Sequence, residues 1–265
     1  MTLAASGLSY GFPGRIVGSE VDLSLASGEI VCMLGPNGSG KTTLLRTLLG
    51  LLAPRGGRVT LDDRALGEWS ARERAQRLAY VPQAAESDFD FSVQEIVEMG
   101  CTPQAGLFAQ PAASDRERAR AALERLGIAA LAPRAIHRVS GGERQLALIA
   151  RALATGARYL LMDEPTASLD FGNQALILDE LVRLRDAGQA VLFTTHHPDH
   201  ALRIADRVVM MREGGIMAAG GTGSVMNSQN LSGLYGRPIE VAVLTCRDGT
   251  RRRVCVPIGG LPDRG

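Results

Sequence analysis

Lysine is almost absent from this sequence. Of the 29 basic residues in the 265-residue chain, Lys41 is the one lysine and the other 28 are arginine. Lysine carries a compact ammonium charge, whereas arginine carries a planar guanidinium fork, so the two side chains are not interchangeable at a binding site. Because arginine occupies all the remaining basic positions, we predict that position 41 requires an ammonium group.

Several other features are also scarce, and each absence excludes a class of protein. The four cysteines show no C-x-x-C pair and no metal-ligand spacing, which favours reduced thiols over a disulfide framework or a zinc site. The formal net charge is +1, so no overall basic field indicates binding to nucleic acid or to an anionic membrane surface. No apolar run reaches the roughly 18 residues that a membrane-spanning helix needs. We therefore expect a chain with a buried core that does not cross a bilayer by itself.

The single lysine lies in a glycine-rich stretch, GPNGSGKTT, which runs from Gly35 to Thr43 and fits G-x-x-x-x-G-K-[ST]. The apolar run IVCML before it predicts a buried strand, and leucines at helical spacing after it predict a helix. A strand, a glycine-rich loop and a helix N-terminus together present backbone N–H groups to a chain of phosphates. We predict a P-loop in which Lys41 bridges the β- and γ-phosphates and Thr42 supplies a hydroxyl to Mg²⁺.

A second apolar run, YLLM at 159–162, predicts a buried strand that ends in two acidic residues. Asp163, at the end of this strand, is suited to hold the Mg²⁺ of a bound nucleotide through water, like a Walker B aspartate. Glu164 is expected to point to the opposite face, towards an attacking water, where a carboxylate can act as a general base. The alternative is that the sequence Asp-Glu-Pro only marks the entry to a helix.

The stretch HRVSGGERQ places two poor helix formers at the start of a predicted helix. Apolar residues recur at helical spacing from 146 to 153, so the helix begins at Ser140. Ser140 and Glu143 fit the capping box S-x-x-E, which explains these two residues without a ligand. The capping box does not explain Gly141 and Gly142, each of which costs about 1 kcal/mol relative to alanine within a helix.

The ordered set of motifs resembles that of the ATP-binding cassette (ABC) ATPases. Gln83 in YVPQ resembles their Q-loop glutamine, and VSGGE at 139–143 resembles their signature sequence. ASLD at 167–170 resembles their D-loop, and His196 after VLFTT resembles their switch histidine. No N-K-x-D motif for reading guanine is found in the sequence. The resemblance spans about residues 3–220.

The resemblance implies an α/β fold with a P-loop NTPase (RecA-like) core, an N-terminal antiparallel β portion, an inserted helical subdomain and a small C-terminal β extension. We expect the ABC ATPase domain at 1–220, with its core at 1–86 and 141–220 and the helical subdomain at about 87–140. The extension is expected at 221–265. The stretch GGTGSVMNSQN at 220–230 is typical of a linker, whereas EVAVLT and RRRVCV flank the turn sequence RDGT and predict a β-hairpin.

The resemblance also implies the residues of an ATP site that uses Mg²⁺. The expected ATP-binding residues are Tyr10, whose ring would stack on adenine, then Gly35, Pro36, Asn37, Gly38, Ser39, Gly40, Lys41, Thr42 and Thr43, and finally Gln83. The expected metal ligands are Thr42, Gln83 and Asp163, and the expected catalytic pair is Glu164 and His196. The residues expected to act on a partner subunit's nucleotide are Ser140, Gly141, Gly142, Glu143 and Asp170.

Three of these assignments have structural alternatives. Tyr10 could be an ordinary core residue of a β-strand. Gln83 could be a polar residue at a strand end with no ligand. The role of His196 could belong to its neighbour His197, because the assignment rests on position directly after the strand.

The expected partners follow from the same resemblance. In the family, the signature helix faces the γ-phosphate held on the partner's P-loop, so Gly141 and Gly142 would leave room for another chain's nucleotide. This implies a homodimer with composite ATP sites. A single cassette without a membrane helix further implies a separate subunit at the cytoplasmic face of the inner membrane. It would bind integral-membrane permease subunits and, indirectly, a periplasmic or lipid-anchored substrate-binding protein, and no nucleic acid.

Further stretches narrow the resemblance to one subgroup of importers. FSVQEIVEMG after Gln83, LDFGNQ at 169–174 and TTHHPDHAL at 194–202 resemble the ATPases of iron-chelate, haem and cobalamin importers, and molybdate importers are similar. The expected function is therefore to couple ATP hydrolysis to transport of a metal chelate (iron-siderophore, haem or cobalamin) or of an oxyanion such as molybdate. Phe89 and Phe91 would anchor the permease, unless both are core residues. The alternative function is a soluble ABC ATPase that remodels or regulates a protein or nucleic-acid complex.

Overall fold

The structure is a computed structural model, and it describes residues 1–83, 90–101 and 112–259. The strands in this part of the chain are β1 (Thr2–Phe12), β2 (Arg15–Ala26), β3 (Ile30–Leu34), β4 (Gly56–Leu61), β5 (Arg64–Ala65), β6 (Leu78–Val81), β7 (Tyr159–Met162), β8 (Ala190–Thr195), β9 (Arg207–Arg212), β10 (Gly215–Gly221), β11 (Ile239–Thr245) and β12 (Arg251–Pro257). The helices are α1 (Lys41–Leu48), α2 (Ala71–Arg77), α3 (Val93–Glu98), α4 (Ala113–Arg125), α5 (Gly141–Ala154), α6 (Phe171–Asp186), α7 (Pro198–Ile204), α8 (Thr222–Val225) and α9 (Ser228–Tyr235).

A six-stranded sheet forms the centre of the molecule, in the order β10-β9-β3-β8-β7-β6. All neighbouring pairs are parallel except β9 and β10, which form an antiparallel edge. Leu34 pairs with Thr195, and Val81 pairs with Met162, so β3 and β8 end level with each other, as do β6 and β7. The loops that follow these four strands therefore leave the sheet at one edge, where ligands bind in open parallel sheets.

Hydrophobic clusters cover both faces of the central sheet. The five residues of β3 are all buried, because Ile30, Cys32 and Leu34 join the cluster on one face and Val31 and Met33 join the cluster on the other. This two-sided burial explains why the strand has a continuous apolar sequence rather than an alternating one. The second cluster lies against α1 and an antiparallel sheet of order β2-β1-β4-β5. The predicted α/β class with an N-terminal antiparallel portion is confirmed.

The inserted region between the sheet strands is helical where the structure describes it. The predicted helical character is seen in α3 and α4, and Ser92 and Glu95 close a capping box at the start of α3. Helix α5 packs on α3 and α4 as well as on β6, although the predicted division assigns it to the core. Phe91 is 41% exposed and is therefore not a core residue, whereas Phe89 lies outside the described residues. The predicted domain boundaries remain a prediction.

The prediction of a linker after Gly220 is wrong. This stretch forms α8 and α9, and its apolar side chains Val225, Met226, Leu231 and Leu234 are buried in the main cluster. The glycine- and serine-rich composition concealed these helices, since tertiary packing stabilises a short helix more than its intrinsic propensity does. The predicted hairpin is confirmed as β11 and β12, which pair from Ile239 with Pro257 to Thr245 with Arg251. The predicted β extension therefore begins with two helices that belong to the core.

Two expectations from composition can be compared with the described residues. All four cysteines are free thiols. Among residues 1–83, 90–101 and 112–259, no helix combines the length and the apolar character needed to cross a membrane.

Replacing a buried leucine of α9 tests whether this segment belongs to the core. Leu231 is 0% exposed and Leu244 on the hairpin is 56% exposed. We expect Leu231→Ala to lower the free energy of unfolding by about 2–5 kcal/mol, because it leaves a cavity in a packed core. Leu244→Ala is the matched control and should change it by about 0.5 kcal/mol or less. Urea unfolding of both variants measures the difference, and equal effects would contradict the assignment of α9 to the core.

Candidate functional site

The P-loop wraps tightly between β3 and α1 because its glycines adopt backbone conformations that other residues rarely do. Gly38 and Gly40 have φ values of 79° and 94°. A Cβ atom on Gly40 would lie 2.8 Å from the Tyr10 hydroxyl oxygen, so the loop also lacks room for a side chain there. Helix α1 begins at Lys41, directly after the loop. The free N–H groups of its first turn are therefore available at the loop for an anion.

Lys41 lies at the centre of this loop and is 4% exposed. Its Nζ donates to the carbonyl oxygens of Gly35 at 2.7 Å and Pro36 at 3.1 Å, and lies 3.7 Å from Glu164 Oε1. Burial lowers the pKa of Lys41, whereas the carboxylates of Glu164 and Asp163 act in the opposite direction. The ammonium group is thus enclosed beside oxygen acceptors, in the position that the P-loop prediction requires.

Two acidic residues follow β7 at the same edge of the sheet. Asp163 is buried and accepts a hydrogen bond from Thr194 Oγ1 at 2.7 Å. Thr194 Oγ1 in turn accepts one from the backbone N–H of Glu164 at 2.8 Å. Glu164 has a φ of 46°, in the left-handed region that a residue before proline rarely adopts. This strained backbone directs the Glu164 side chain to Lys41, and such strain is typical of functional sites.

His196, rather than His197, approaches the acidic pair. Its Nδ1 lies 3.2 Å from Glu164 Oε2, directly after the end of β8. The ring of His197 lies beside it, with centroids 4.1 Å apart, but faces the cleft between α6, α7 and β12. The structure therefore brings Lys41, Glu164 and His196 together from three separate motifs.

A cavity of about 410 Å³ opens beside Lys41 and Glu164, and His196 lies behind Glu164 and outside the cavity lining. The cavity is lined by Phe12, Arg15, Val17, Asn37, Gly38, Ser39, Gly40, Lys41, Thr42, Thr43, Gln83 and Glu164. The buried Ser39 Oγ has no hydrogen-bond partner among the described residues, which is unusual for a buried hydroxyl and fits a cradle for a ligand. Gln83 is exposed at this cavity, as the Q-loop assignment requires.

The donor atoms at this cavity suit Mg²⁺, which proteins seldom hold through their own side chains alone. Thr42 and Gln83 line the cavity and offer a hydroxyl and an amide oxygen, and Asp163 is the nearby buried carboxylate. Within the described ranges, no group of three or more His, Cys, Asp or Glu side chains could hold a metal ion. Mg²⁺ is commonly held by one or two protein ligands together with phosphates and water, so this donor set fits it.

Tyr10 does not have the position that the sequence predicted. It is 0% exposed, and its hydroxyl donates to the Gly214 carbonyl oxygen at 2.9 Å, so neither ring face is free for a base. Phe12 is 43% exposed and lines the cavity instead. The register of β1 shifts between Tyr10 and Gly11, which places Tyr10 in the core and Phe12 outside it. A glycine within a strand is the signal that could have indicated this bulge.

The signature residues do not line the cavity formed by their own chain's P-loop. The predicted capping box is present, with Ser140 N–H donating to Glu143 Oε2 at 2.8 Å and Glu143 N–H donating to Ser140 Oγ at 3.2 Å. A Cβ atom on Gly142 would lie 3.1 Å from the Ser168 carbonyl oxygen, so this glycine has a structural reason within the chain. A Cβ atom on Gly141 would meet nothing within 4 Å. Gly141 therefore remains without an explanation inside its own chain.

Asp170 has a structural role within its own chain. Its Oδ1 accepts a hydrogen bond from the Asn173 backbone N–H at 2.8 Å and caps the start of α6. Asp170 is exposed and does not reach the cavity of its own P-loop. Its expected action on a partner's nucleotide therefore remains a prediction.

Comparison with known proteins identifies the family of this site. Residues 19–167, more than half of the chain, match the family model described as ABC transporter. The chain belongs to the ABC transporter family. It is an ATP-hydrolysing subunit of this family.

Individual members of the ABC transporter family match most of the chain. It is 40% identical over 235 residues to an ABC transporter ATP-binding protein of Haemophilus influenzae, covering 89% of each. It is 40% identical over 238 residues to the hemin import ATP-binding protein HmuV of Streptomyces coelicolor, covering 90% of this chain and 84% of HmuV. A solved metal-chelate type ABC transporter in an inward-facing conformation has a chain with a TM-score of 0.85 and 32% identity, covering 97% of this chain and 98% of that one.

Replacing Phe12 tests which aromatic ring contacts the adenine of ATP. We expect Phe12→Ala to raise the Kd for ATP about 5- to 100-fold, since stacking of a base on an aromatic ring contributes about 1–3 kcal/mol. Tyr10→Phe is the control and should leave the Kd nearly unchanged. The affinity for inorganic tripolyphosphate, which has no base to stack, should be the same in all three proteins. Isothermal titration measures each value, and an unchanged Kd for ATP in Phe12→Ala would contradict the assignment of the adenine contact to Phe12.

Proposed function

We propose that this chain powers an importer of a metal chelate, with the closely placed Lys41, Glu164 and His196 as the centre of its ATPase site. The observation that carries this proposal is that the three residues converge at one edge of the parallel sheet. Lys41 Nζ lies 3.7 Å from Glu164 Oε1, and His196 Nδ1 lies 3.2 Å from Glu164 Oε2. Such an arrangement places a cation for phosphate beside a carboxylate and an imidazole that can hold a water.

Each residue has a distinct role in the proposed reaction. Lys41 and the N–H groups of α1 bind and orient the phosphate chain of ATP. Glu164 accepts a proton from the attacking water, and His196 fixes the position of the Glu164 carboxylate through its Nδ1. Mg²⁺, when bound, neutralises charge on the phosphates. Thr42, Gln83 and Asp163 would hold this ion.

The signature sequence supports a head-to-tail homodimer as the active form. Ser140 and Gly141 are exposed at the start of α5, where the helix dipole favours an anion. The space beside Gly141 is empty within its own chain, which suits the approach of a phosphate held by a second copy. Each ATP would then lie between the P-loop of one subunit and the signature of its partner, with Asp170 of the D-loop near the same interface.

The likeness to HmuV and to the metal-chelate transporter supports import of a metal chelate such as haem. In this proposal the chain binds integral-membrane permease subunits at the cytoplasmic face of the membrane, and a substrate-binding protein delivers the cargo from outside. The exposed Phe91 suits an apolar contact with the permease. Closure of the ATPase dimer would then drive a rigid-body change in the permease.

Mixing two defective variants tests the composite sites. Both carry Glu164→Gln, so that bound ATP is not hydrolysed; one also carries Ser140→Arg and the other Lys41→Ala. In a mixed dimer one site combines both defects, and the other pairs an intact P-loop with an intact signature. We expect up to one ATP per mixed dimer to be retained after rapid desalting, and none in either parent alone.

The controls for this experiment are the Glu164→Gln protein, which should retain up to two ATP per dimer, and the unmixed parents. A capping box acts only within its own chain, so a purely structural role of Ser140 predicts no recovery on mixing. Absence of retained ATP in the mixture, with retention by Glu164→Gln alone, would refute the head-to-tail arrangement.

Uptake measurements test the cargo and the partner together. We expect deletion of the gene to abolish uptake of a metal chelate, with haem, iron-siderophore, cobalamin and molybdate compared in parallel. The wild-type chain should restore uptake and copurify with a polytopic permease from membranes. Lys41→Ala should copurify equally but restore no uptake, because it retains the docking surface and loses the phosphate contact. Unchanged uptake of all four, with a soluble partner instead, would favour an ATPase that remodels another complex.

A further inference from the structure

The C-terminal segment reaches the catalytic region through Tyr235, the last residue of α9. The Tyr235 hydroxyl donates to the backbone carbonyl oxygen of His196 at 2.8 Å, across 39 residues of sequence. Burial raises the pKa of Tyr235, so the hydroxyl keeps its proton and remains a donor at any physiological pH. Helix α9, which begins in the stretch predicted to be a linker, therefore makes direct contact with the backbone of His196.

Helix α9 is held firmly enough to fix the position of that hydroxyl. Leu231 and Leu234 are buried in the main cluster. Asn227 caps the start of the helix through the Asn230 N–H, and Arg212 Nη1 donates to the Gly233 carbonyl oxygen at 2.9 Å. Tyr235 is consequently attached to a packed element rather than to a free chain end.

The hairpin holds the same region from a second side. The backbone N–H of Cys255 in β12 donates to Asp199 Oδ1 at 2.9 Å, in the first turn of α7. Strand β11 is fixed to α9, because Val241 N–H donates to Ser228 Oγ at 3.0 Å and Ile239 N–H donates to Ser232 Oγ at 2.9 Å. The turn at 196–199 is therefore attached to the C-terminal segment at His196 and again at Asp199.

The direction of the His196 ring depends on the peptide group that Tyr235 holds. Residue 196 follows the last ladder position of β8, where the sheet no longer fixes the backbone. The same planar peptide group carries the His197 N–H, which donates to Thr195 Oγ1 at 3.0 Å, so hydrogen bonds hold this peptide at both ends. Loss of the Tyr235 bond would leave the peptide held at its N–H alone, and a small rotation about that contact would change the 3.2 Å separation of His196 Nδ1 from Glu164 Oε2.

We propose that Tyr235 is a positioning residue for ATP hydrolysis, which holds the backbone of His196 so that its ring meets Glu164. This rests on the proposed role of His196 in the function above. Tyr235 does not line the P-loop cavity, so it acts on turnover and not on ATP binding.

The conservative variant Tyr235→Phe removes the hydroxyl and keeps the ring in its packed position. We expect kcat to fall about 2- to 10-fold with the KM for ATP unchanged, as for loss of one hydrogen bond. Tyr159→Phe is the matched control: Tyr159 is also buried and its hydroxyl donates to Asp62 Oδ1 at 2.6 Å, at the amino end of β7 away from the P-loop. It should leave kcat unchanged.

A double-mutant cycle separates positioning from general destabilisation. Within His196→Ala, adding Tyr235→Phe should lower kcat no further, because the ring that Tyr235 positions is gone. The ring resonances of His196, followed by NMR through a pH titration in the absence of nucleotide, should shift in Tyr235→Phe and not in Tyr159→Phe.

Each alternative result has a definite meaning. Wild-type kcat in Tyr235→Phe, an equal loss in the His196→Ala background, or unshifted His196 resonances would each overturn the positioning role. If His196→Ala hydrolyses ATP at the wild-type rate, the proposed role of His196 fails, and the positioning role of Tyr235 is overturned with it. Loss of turnover in His196→Ala with full turnover in Tyr235→Phe refutes the positioning role alone.

Discussion

The proposed ATP site depends on one structural constraint, which is that neighbouring parallel strands end level with each other at their carboxyl ends. Strands β3 and β8 end together at Leu34 and Thr195, and β6 and β7 end together at Val81 and Met162. The P-loop, the acidic pair, Gln83 and His196 each follow one of these ends. Lys41 Nζ consequently lies 3.7 Å from Glu164 Oε1, and His196 Nδ1 lies 3.2 Å from Glu164 Oε2, although the three residues are far apart in the sequence. Two hydrophobic clusters hold this geometry, because they cover both faces of the sheet.

Much of this arrangement could be predicted from the sequence because its elements have local causes. The strands at Ile30–Leu34 and Tyr159–Met162 have the predicted bounds, since a continuous apolar run between turn signals is typical of a strand buried on both faces. The start of α5 was also predictable, because a capping box is local and satisfies helix donors within four residues. The P-loop was predictable from its pattern and the elements on either side of it.

The features that sequence reasoning missed depend on tertiary structure. Tyr10 and Phe12 are two residues apart and would share a face in a regular strand, but the bulge at Gly11 separates them. The apolar residues of α8 and α9 are few and surrounded by glycine and serine, and they are recognisable as core only in the packed chain. The left-handed backbone of Glu164 likewise depends on the hydrogen bond from its N–H to Thr194, a residue on another strand. The glycine within β1 is a local signal for the bulge, whereas no local pattern indicates the other two features.

The burial of Lys41 has a consequence for covalent regulation. The chain has 28 arginines and one lysine, so a single ε-amine is available for acylation, methylation or attachment of ubiquitin at a side chain. This amine is enclosed by the carbonyl oxygens of Gly35 and Pro36 and lies beside Glu164. The chain therefore has no exposed lysine whose modification could change its activity partially. Because Lys41 lines the P-loop cavity, a group attached to its amine would occupy that cavity and would compete with the proposed binding of phosphate.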